Sequence, residues 1–210
     1  MPNSDIPDHA GALARQAGFR TPPIDRASDA FAEPLVDLRA SGVAGENFYH
    51  SERNPPYWRR IDGSIPDLLL RRSVAERLAG INARLAANGV ELFLFDAWRP
   101  KAVQSYFHDN WMPSQLVRRR PDLTGAALMR EVENYWAAPS ADEHSPAPHE
   151  TGAAADLTLR WRGGEKLWMG SLFDDVTQIA HRDRFERDPE MCFSDDEARA
   201  NMLLAASYAG

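Results

Sequence analysis

The segment from Ser73 to Pro100 constrains this chain most. Ser73 followed three residues later by Glu76 has the form of a capping box, and Val74, Leu78, Ile81 and Leu85 recur at helical spacing. Gly89 then supplies a residue that tolerates the left-handed conformation in which helices end. Directly after it, Leu92-Phe93-Leu94-Phe95 is short, continuous and apolar, the pattern of a strand buried on both faces. The apolar run stops at Asp96-Ala97-Trp98-Arg99-Pro100, a polar turn, and Pro100 suits the first position of another helix reaching about Phe107. A helix feeding a buried strand that ends in a charged turn excludes an all-helical bundle.

The flanking segments agree with a mixed architecture. Leu128, Val132 and Trp136 share a face of a helix expected over residues 125–136. A Pro-rich loop follows over 139–148, and Ala153 to Leu159 reads as a strand with Ala154, Asp156 and Thr158 on one side. A last helix carries a second capping-box pair, Ser194 with Glu197, and turns Met202 and Leu203 inward. Residues 1–33, with many Pro, Asp and Ala, are expected to wrap the surface or stay mobile, and residues 34–210 to form one domain. The expected class is α+β, with helices packed on a small, mainly antiparallel sheet.

Charge and cysteine usage narrow the partners. A net charge of −7 argues against nucleic acid, which needs a basic face. The one dense basic cluster, Arg118-Arg119-Arg120, sits beside Pro121 and reads as a solvated turn. The single cysteine, Cys192, excludes an intrachain disulfide and fits a packing role in a reducing compartment. The start of the chain lacks the basic and apolar regions of a secretory signal, and no apolar run is long enough to span a bilayer. The expectation is a cytoplasmic protein with no membrane partner.

Two motifs carry chemistry. In His149-Glu150-Thr151-Gly152-Ala153-Ala154-Ala155-Asp156, a loop imidazole precedes a turn at Gly152 and a strand presenting a carboxylate. Both side chains are good zinc ligands, and the small residues around Asp156 leave room for close approach. A hydrogen-bonded loop histidine and an aspartate paired with Arg160 or Arg162 would account for the same letters. In the turn at Asp96, the Arg99 guanidinium offers a rigid fork of donors for an oxyanion or a carboxylate, and a local ion pair with Asp96 is the other reading.

Together the motifs resemble a known family. The Asp96-Ala97-Trp98-Arg99-Pro100 turn, a gap of about fifty residues, and then H-x-x-G-x-A-x-D-L-T-L are the signature of the D-Ala-D-Ala dipeptidases, part of the wider group of zinc D,D-peptidases. Asn47-Phe48 resembles the family's early Asn-Phe, and Met169-Gly170-Ser171 with Phe173-Asp174 resembles its Met-Gly-x-x-Phe-Asp segment. The resemblance implies a zinc-dependent hydrolase acting on D-Ala-D-Ala or a similar small dipeptide in cell-wall precursor metabolism. It implies His149 and Asp156 as zinc ligands, Arg99 as the oxyanion-stabilising residue and Asp174 as the acid that receives the dipeptide's ammonium.

The chain also departs from the family. The family's third zinc ligand and general-base Glu lie in a C-terminal Glu-Trp-Trp-His segment, and no such segment occurs here. His9, His50, His108, His144 and His181 do not align with it, although His144 or His181 is a conceivable substitute ligand. The expectations are therefore a C-terminally incomplete copy, a homologue that binds without cutting, or a chain that recruits ligands from a partner, with weak zinc binding by this chain alone. Loss of a terminal strand would bare a sheet edge, so lowered stability or a homodimer is a further expectation. Ala147 stands where the family often has Ser, and Ala40 where it has Tyr, which opens the site to a small dipeptide other than D-Ala-D-Ala.

Overall fold

The computed structural model describes residues 24–140, 146–180, 184, 196–202 and 204. The helix expected from Ser73 is α2 (Arg72–Leu85); before it come a four-residue helix α1 (Asp29–Ala32) and strands β1 (Leu35–Asp37), β2 (Ala44–Gly45) and β3 (Leu69–Arg71). Strand β4 (Val90–Asp96) follows, then α3 (Lys101–Tyr106), a π-helical turn (Phe107–Trp111), α4 (Met112–Arg119), α5 (Gly125–Val132) and β5 (Asp156–Trp161). The class is α+β.

The strands form two small sheets. β1 and β3 pair antiparallel, and β4 is the centre of a three-stranded sheet with β2 parallel on one side and β5 antiparallel on the other. β4 takes the centre because its residues are apolar on both faces: six of its seven residues are buried. Gly45 lets β2 approach, since a Cβ there would press into Leu68 and Leu94. Helix α2 covers one face of this sheet. Its Val74, Leu78 and Ile81 pack with buried Leu85 against Leu92, Leu94 and Leu159. The Asn82 side chain accepts a bond from the Leu92 N–H at 2.7 Å, tying helix to strand.

The start of α2 corrects the sequence-based expectation. Ser73 does not cap it; the helix begins at Arg72, and its N-cap residue Arg71 makes no side-chain cap. Instead the Glu33 carboxylate, reaching in from the segment after α1, accepts the Ser73 N–H at 2.9 Å. A tertiary cap replaces the local one because the β1–β3 pairing and the bond from the Arg72 N–H to the Pro34 carbonyl bring Glu33 to the helix terminus. The proposed Ser194 cap and the Leu203 contact lie outside the described residues, as do Cys192, His9, His144 and His181.

Other boundaries shift by a few residues. Pro100 is the N-cap of α3 rather than its first helical residue, and the chain continues past Phe107 through the π-helical turn into α4. Helix α5 stops at Val132, yet Trp136 still joins Val132 and Leu128 through the turns that follow. β5 starts at Asp156, not Ala153. Arg118 and Arg119 close α4 on the exposed surface, and Arg120 pairs with Asp122. Tyr49, Phe107, Met112, Val132 and Trp136 form a second, aromatic core, with Phe107 stacked on Trp136 at 4.2 Å between centroids. The polar turn after β4 lies between the two cores. Among the described residues no helix is long and apolar enough to cross a membrane.

Candidate active site

The two motifs meet because their backbones are stitched together. The Arg99 N–H donates to the His149 carbonyl at 3.2 Å, and the Trp98 indole N–H donates to the Glu150 carbonyl at 3.1 Å. In the reverse direction, His149 Nδ1 donates to the Ala97 carbonyl at 2.8 Å. His149 sits in a 3-10 turn (Pro148–Thr151) that ends at Gly152 with φ of +73°. Glycine suits this position because its φ is left-handed, and a Cβ would also force the Leu35 side chain to shift. The Gly152 carbonyl then accepts the Arg71 N–H at 2.8 Å, which anchors the turn to β3.

Asp156 opens β5 directly opposite Asp96 at the end of β4, after a register irregularity between Leu94 and Asp96. Two carboxylates so close need cations. Arg99 serves both: its Nε donates to Asp96 at 2.7 Å and its Nη2 to Asp156 at 2.9 Å. Arg160, by contrast, pairs with Glu91 at 2.7 Å, so the alternative in which it neutralises Asp156 is not realised. The local Asp96–Arg99 pair does form, and it coexists with the Asp156 contact rather than excluding it. Arg99 Nη1 donates to the Gln104 side-chain oxygen at 2.9 Å, and Gln104 in turn donates to the Ala137 carbonyl at 2.6 Å. The guanidinium lies between two rings, 4.8 Å from Tyr49 and 5.0 Å from Trp136. Three bonded edges and two ring faces hold Arg99 in one orientation, and it remains 5% exposed at the cavity wall.

His149 and Asp156 present a cation-sized gap. With Nδ1–H committed to Ala97, the imidazole offers a lone pair on Nε2, and that atom lies 3.5 Å from an Asp156 carboxylate oxygen. Two acceptors facing each other require a shared proton or metal ion. Tetrahedral zinc with bonds of about 2.0–2.2 Å separates two ligand atoms by roughly 3.3–3.5 Å. The carbonyl bond on the far ring nitrogen is the usual way a zinc-binding imidazole is oriented. Among the described residues Asp96, His149 and Asp156 are the group able to hold a metal. Asp96, however, lies 3.4 Å from Nδ1, the nitrogen already bonded to Ala97, and accepts from Arg99. It orients the site and is not placed on the Nε2 side with Asp156.

Electrostatics follow from burial and these pairings. Burial opposes a charge on His149, but the Asp156 carboxylate outweighs it and raises the imidazole's pKa. Burial likewise pushes the Asp156 pKa up, while His149 and Arg99 together carry it below the ordinary carboxylate value. For Asp96, burial prevails over Arg99 and His149, and its pKa is raised.

Asp174 completes the cavity wall, in a left-handed backbone conformation with φ of +55°. Burial, reinforced by the charge of Asp156, pushes its pKa up to about 7. The hydroxyls of Tyr49 and Tyr57 both donate to its Oδ2 at 2.8 Å. The cavity has a volume of about 450 Å³ and is lined by Arg99, Trp136, Ala147, His149, Asp156 and Asp174 among others. All four candidate residues, Arg99, His149, Asp156 and Asp174, therefore border one space. Sequence reading missed Tyr49, Tyr57, Gln104 and Trp136. Tyr49 follows Asn47-Phe48 and Trp136 has helical spacing with Leu128 and Val132, but neither signal points to a site; Tyr57 and Gln104 have no distinguishing spacing.

Comparison with known proteins places this geometry. Residues 64–190 match the peptidase family described as D-ala-D-ala dipeptidase. A D-alanyl-D-alanine dipeptidase from Synechocystis sp. (strain PCC 6803) is 34% identical over 160 residues, covering 69% of this chain and 60% of the relative. The chain thus spans about three fifths of that relative's length. A solved structure of a mutant vancomycin-resistance D,D-pentapeptidase VanY, from a VanB-type cassette in complex with Zn(II), is similar with a TM-score of 0.35 and 16% identity, over 44% of this chain and 47% of that one. That likeness is too partial to speak for the site. The family match runs from the turns before β3 across β4 and β5, through both motifs of the cavity, and the chain belongs to the D-Ala-D-Ala dipeptidase family.

Proposed function

We propose that this chain forms a dipeptidase site for D-Ala-D-Ala or a similar small dipeptide, working with zinc. The carrying observation is the pairing of a tautomer-locked His149 Nε2 with the Asp156 carboxylate at 3.5 Å, one residue's reach from Arg99. His149 and Asp156 would hold the metal. Zinc bound there would supply Lewis acidity and make water a usable nucleophile near neutral pH.

The chain's own residues supply the rest. Arg99, with five N–H groups and three committed, keeps donors for the oxygen that gains charge when the peptide carbonyl is attacked. Asp174 accepts from the dipeptide's ammonium at the opposite end. The rings of Trp136 and Tyr49 fix the guanidinium so that it does not reorganise during the reaction. Ala147 at the cavity wall leaves space where a hydroxyl would stand in many relatives, which widens the range of small dipeptides the site accepts.

A second reading has its own support. Among the described residues the acids lining the cavity are Asp156, Asp174 and Asp175, and none is a glutamate. A chain with this cavity could bind a dipeptide without cutting it. The two readings separate in one experiment: incubation with D-Ala-D-Ala and zinc, free D-alanine assayed beside calorimetric binding. Turnover that falls by two to three orders of magnitude in Arg99→Ala, the usual cost of an oxyanion donor, supports hydrolysis. Binding without D-alanine release supports the second reading, and neither binding nor turnover would sink both.

A further inference from the structure

Tyr49 connects the two charged ends of the cavity. Its ring lies 4.8 Å from the Arg99 guanidinium carbon, and its hydroxyl donates to Asp174 Oδ2 at 2.8 Å. The residue is 1% exposed and packs on Phe107 at 4.8 Å, on Phe173 at 5.9 Å and on Trp136 at 6.3 Å. It cannot tilt without moving the aromatic core. Tyr57 approaches the same carboxylate oxygen from a second direction. Its position is set by Asn54, whose side chain donates to the Phe48 and Arg59 carbonyls at 2.7 and 2.9 Å and accepts the Arg59 N–H at 3.0 Å. Tyr57 also packs edge-on to Trp111 and against Phe107, the two ends of the π-helical turn.

Neither tyrosine is among the residues lining the cavity, so both act from behind Asp174. Two donors on Oδ2 fix the plane of the carboxylate and leave Oδ1 as the acceptor for a ligand. Asp174 itself sits in a left-handed backbone conformation, with φ of +55°, which aspartate tolerates better than most residues. We infer that Tyr49 and Tyr57 are positioning residues that set the specificity of the site: they fix the orientation of Asp174 and its distance from Arg99, and so select short ligands with a free α-ammonium. This inference rests on the proposed dipeptide reading of the cavity.

The test is calorimetric binding to the zinc-supplemented full chain, comparing D-Ala-D-Ala with N-acetyl-D-Ala-D-Ala. Tyr49→Phe keeps the ring against Arg99 and removes only the hydroxyl, and Tyr57→Phe does the same at the less buried position. The double variant is expected to reduce the preference for the free dipeptide about tenfold or more, the scale of a lost hydrogen bond to a charged group, with the N-acetyl ligand nearly unaffected. Equal weakening of both ligands would mean a merely structural role and overturn the inference. An unchanged preference in the double variant would also overturn it. Asp174→Asn separates the two levels: if it abolishes the preference while the tyrosine variants do not, only the tyrosine inference fails. If wild type shows no preference, or Asp174→Asn leaves it intact, the dipeptide reading of the cavity has failed first.

Discussion

Asp174 shows how burial sets a carboxyl against its own ionisation. A carboxyl whose pKa rises from the ordinary value near 4 to about 7 is disfavoured as an anion by its surroundings. Below about pH 4 it is protonated in both folded and unfolded chains and makes no difference between them. As pH rises from about 4 to 7 the unfolded chain ionises while the folded one does not, so stability falls, and above 7 the full penalty is present. Asp174→Asn keeps the shape, tolerates the left-handed backbone and cannot ionise. Its chemical denaturation in the presence of a chelator should show it more stable than wild type by roughly 1–3 kcal/mol at pH 8, with the gap closing toward pH 4. A gap that does not change with pH would mean the carboxylate is not strained. Arg99 is the opposite case. It neutralises Asp96 and Asp156 together, and Arg99→Ala strands the buried Asp96 carboxylate and leaves the partly exposed Asp156 without its arginine. A loss of about 3 kcal/mol of stability is expected on denaturation, besides any loss of turnover.

At the level of elements, the start of α2 is decided at a distance. The local pair Ser73 and Glu76 has the spacing of a cap but lies one register inside the helix, and Glu33 takes the role. Glu33→Ala should therefore lower stability on thermal or urea denaturation more than Ser73→Ala, which removes only the serine hydroxyl's share of the contact with Glu33. The reverse ranking would show that the local box, and not the tertiary cap, holds the terminus. The same logic governs the site. The turn at Asp96 and the turn at His149 are each short and irregular, and each satisfies its backbone groups on the other. Neither turn satisfies its backbone groups alone, so His149 and Arg99 are held in place by each other's turn.

For the molecule as a whole, the cavity lies where the aliphatic core under α2 meets the aromatic core around Phe107. Burial shields the charges of Arg99 and Asp96 from water and makes their pairing matter. An ion that binds the folded chain and not the unfolded one stabilises it by mass action. Zinc should raise the melting temperature of wild type, and His149→Ala or Asp156→Asn should abolish that rise while leaving the metal-free protein folded. An equal zinc-dependent rise in both variants would place the metal elsewhere. The stabilisation should approach about 2.7 kcal/mol when zinc exceeds its dissociation constant a hundredfold.

The local sequence determined the elements whose signals are local. Apolar spacing marks α2, an unbroken apolar run marks β4, and Gly89 and Gly152 mark the turns that need a left-handed residue. Residue type and spacing singled out Arg99, His149 and Asp156 with alternatives left open, while Asp174 and the role of each came only from the family resemblance. Only the tertiary structure decided what surrounds them. Tyr49, Tyr57, Gln104 and Trp136 look like ordinary core residues along the chain, and their roles arise from hydroxyls, an amide and ring faces converging from separate elements. Glu33 replaces Ser73 for the same reason. A hydrogen bond depends on distance and direction in space, and neither is encoded in the separation of two residues along a chain.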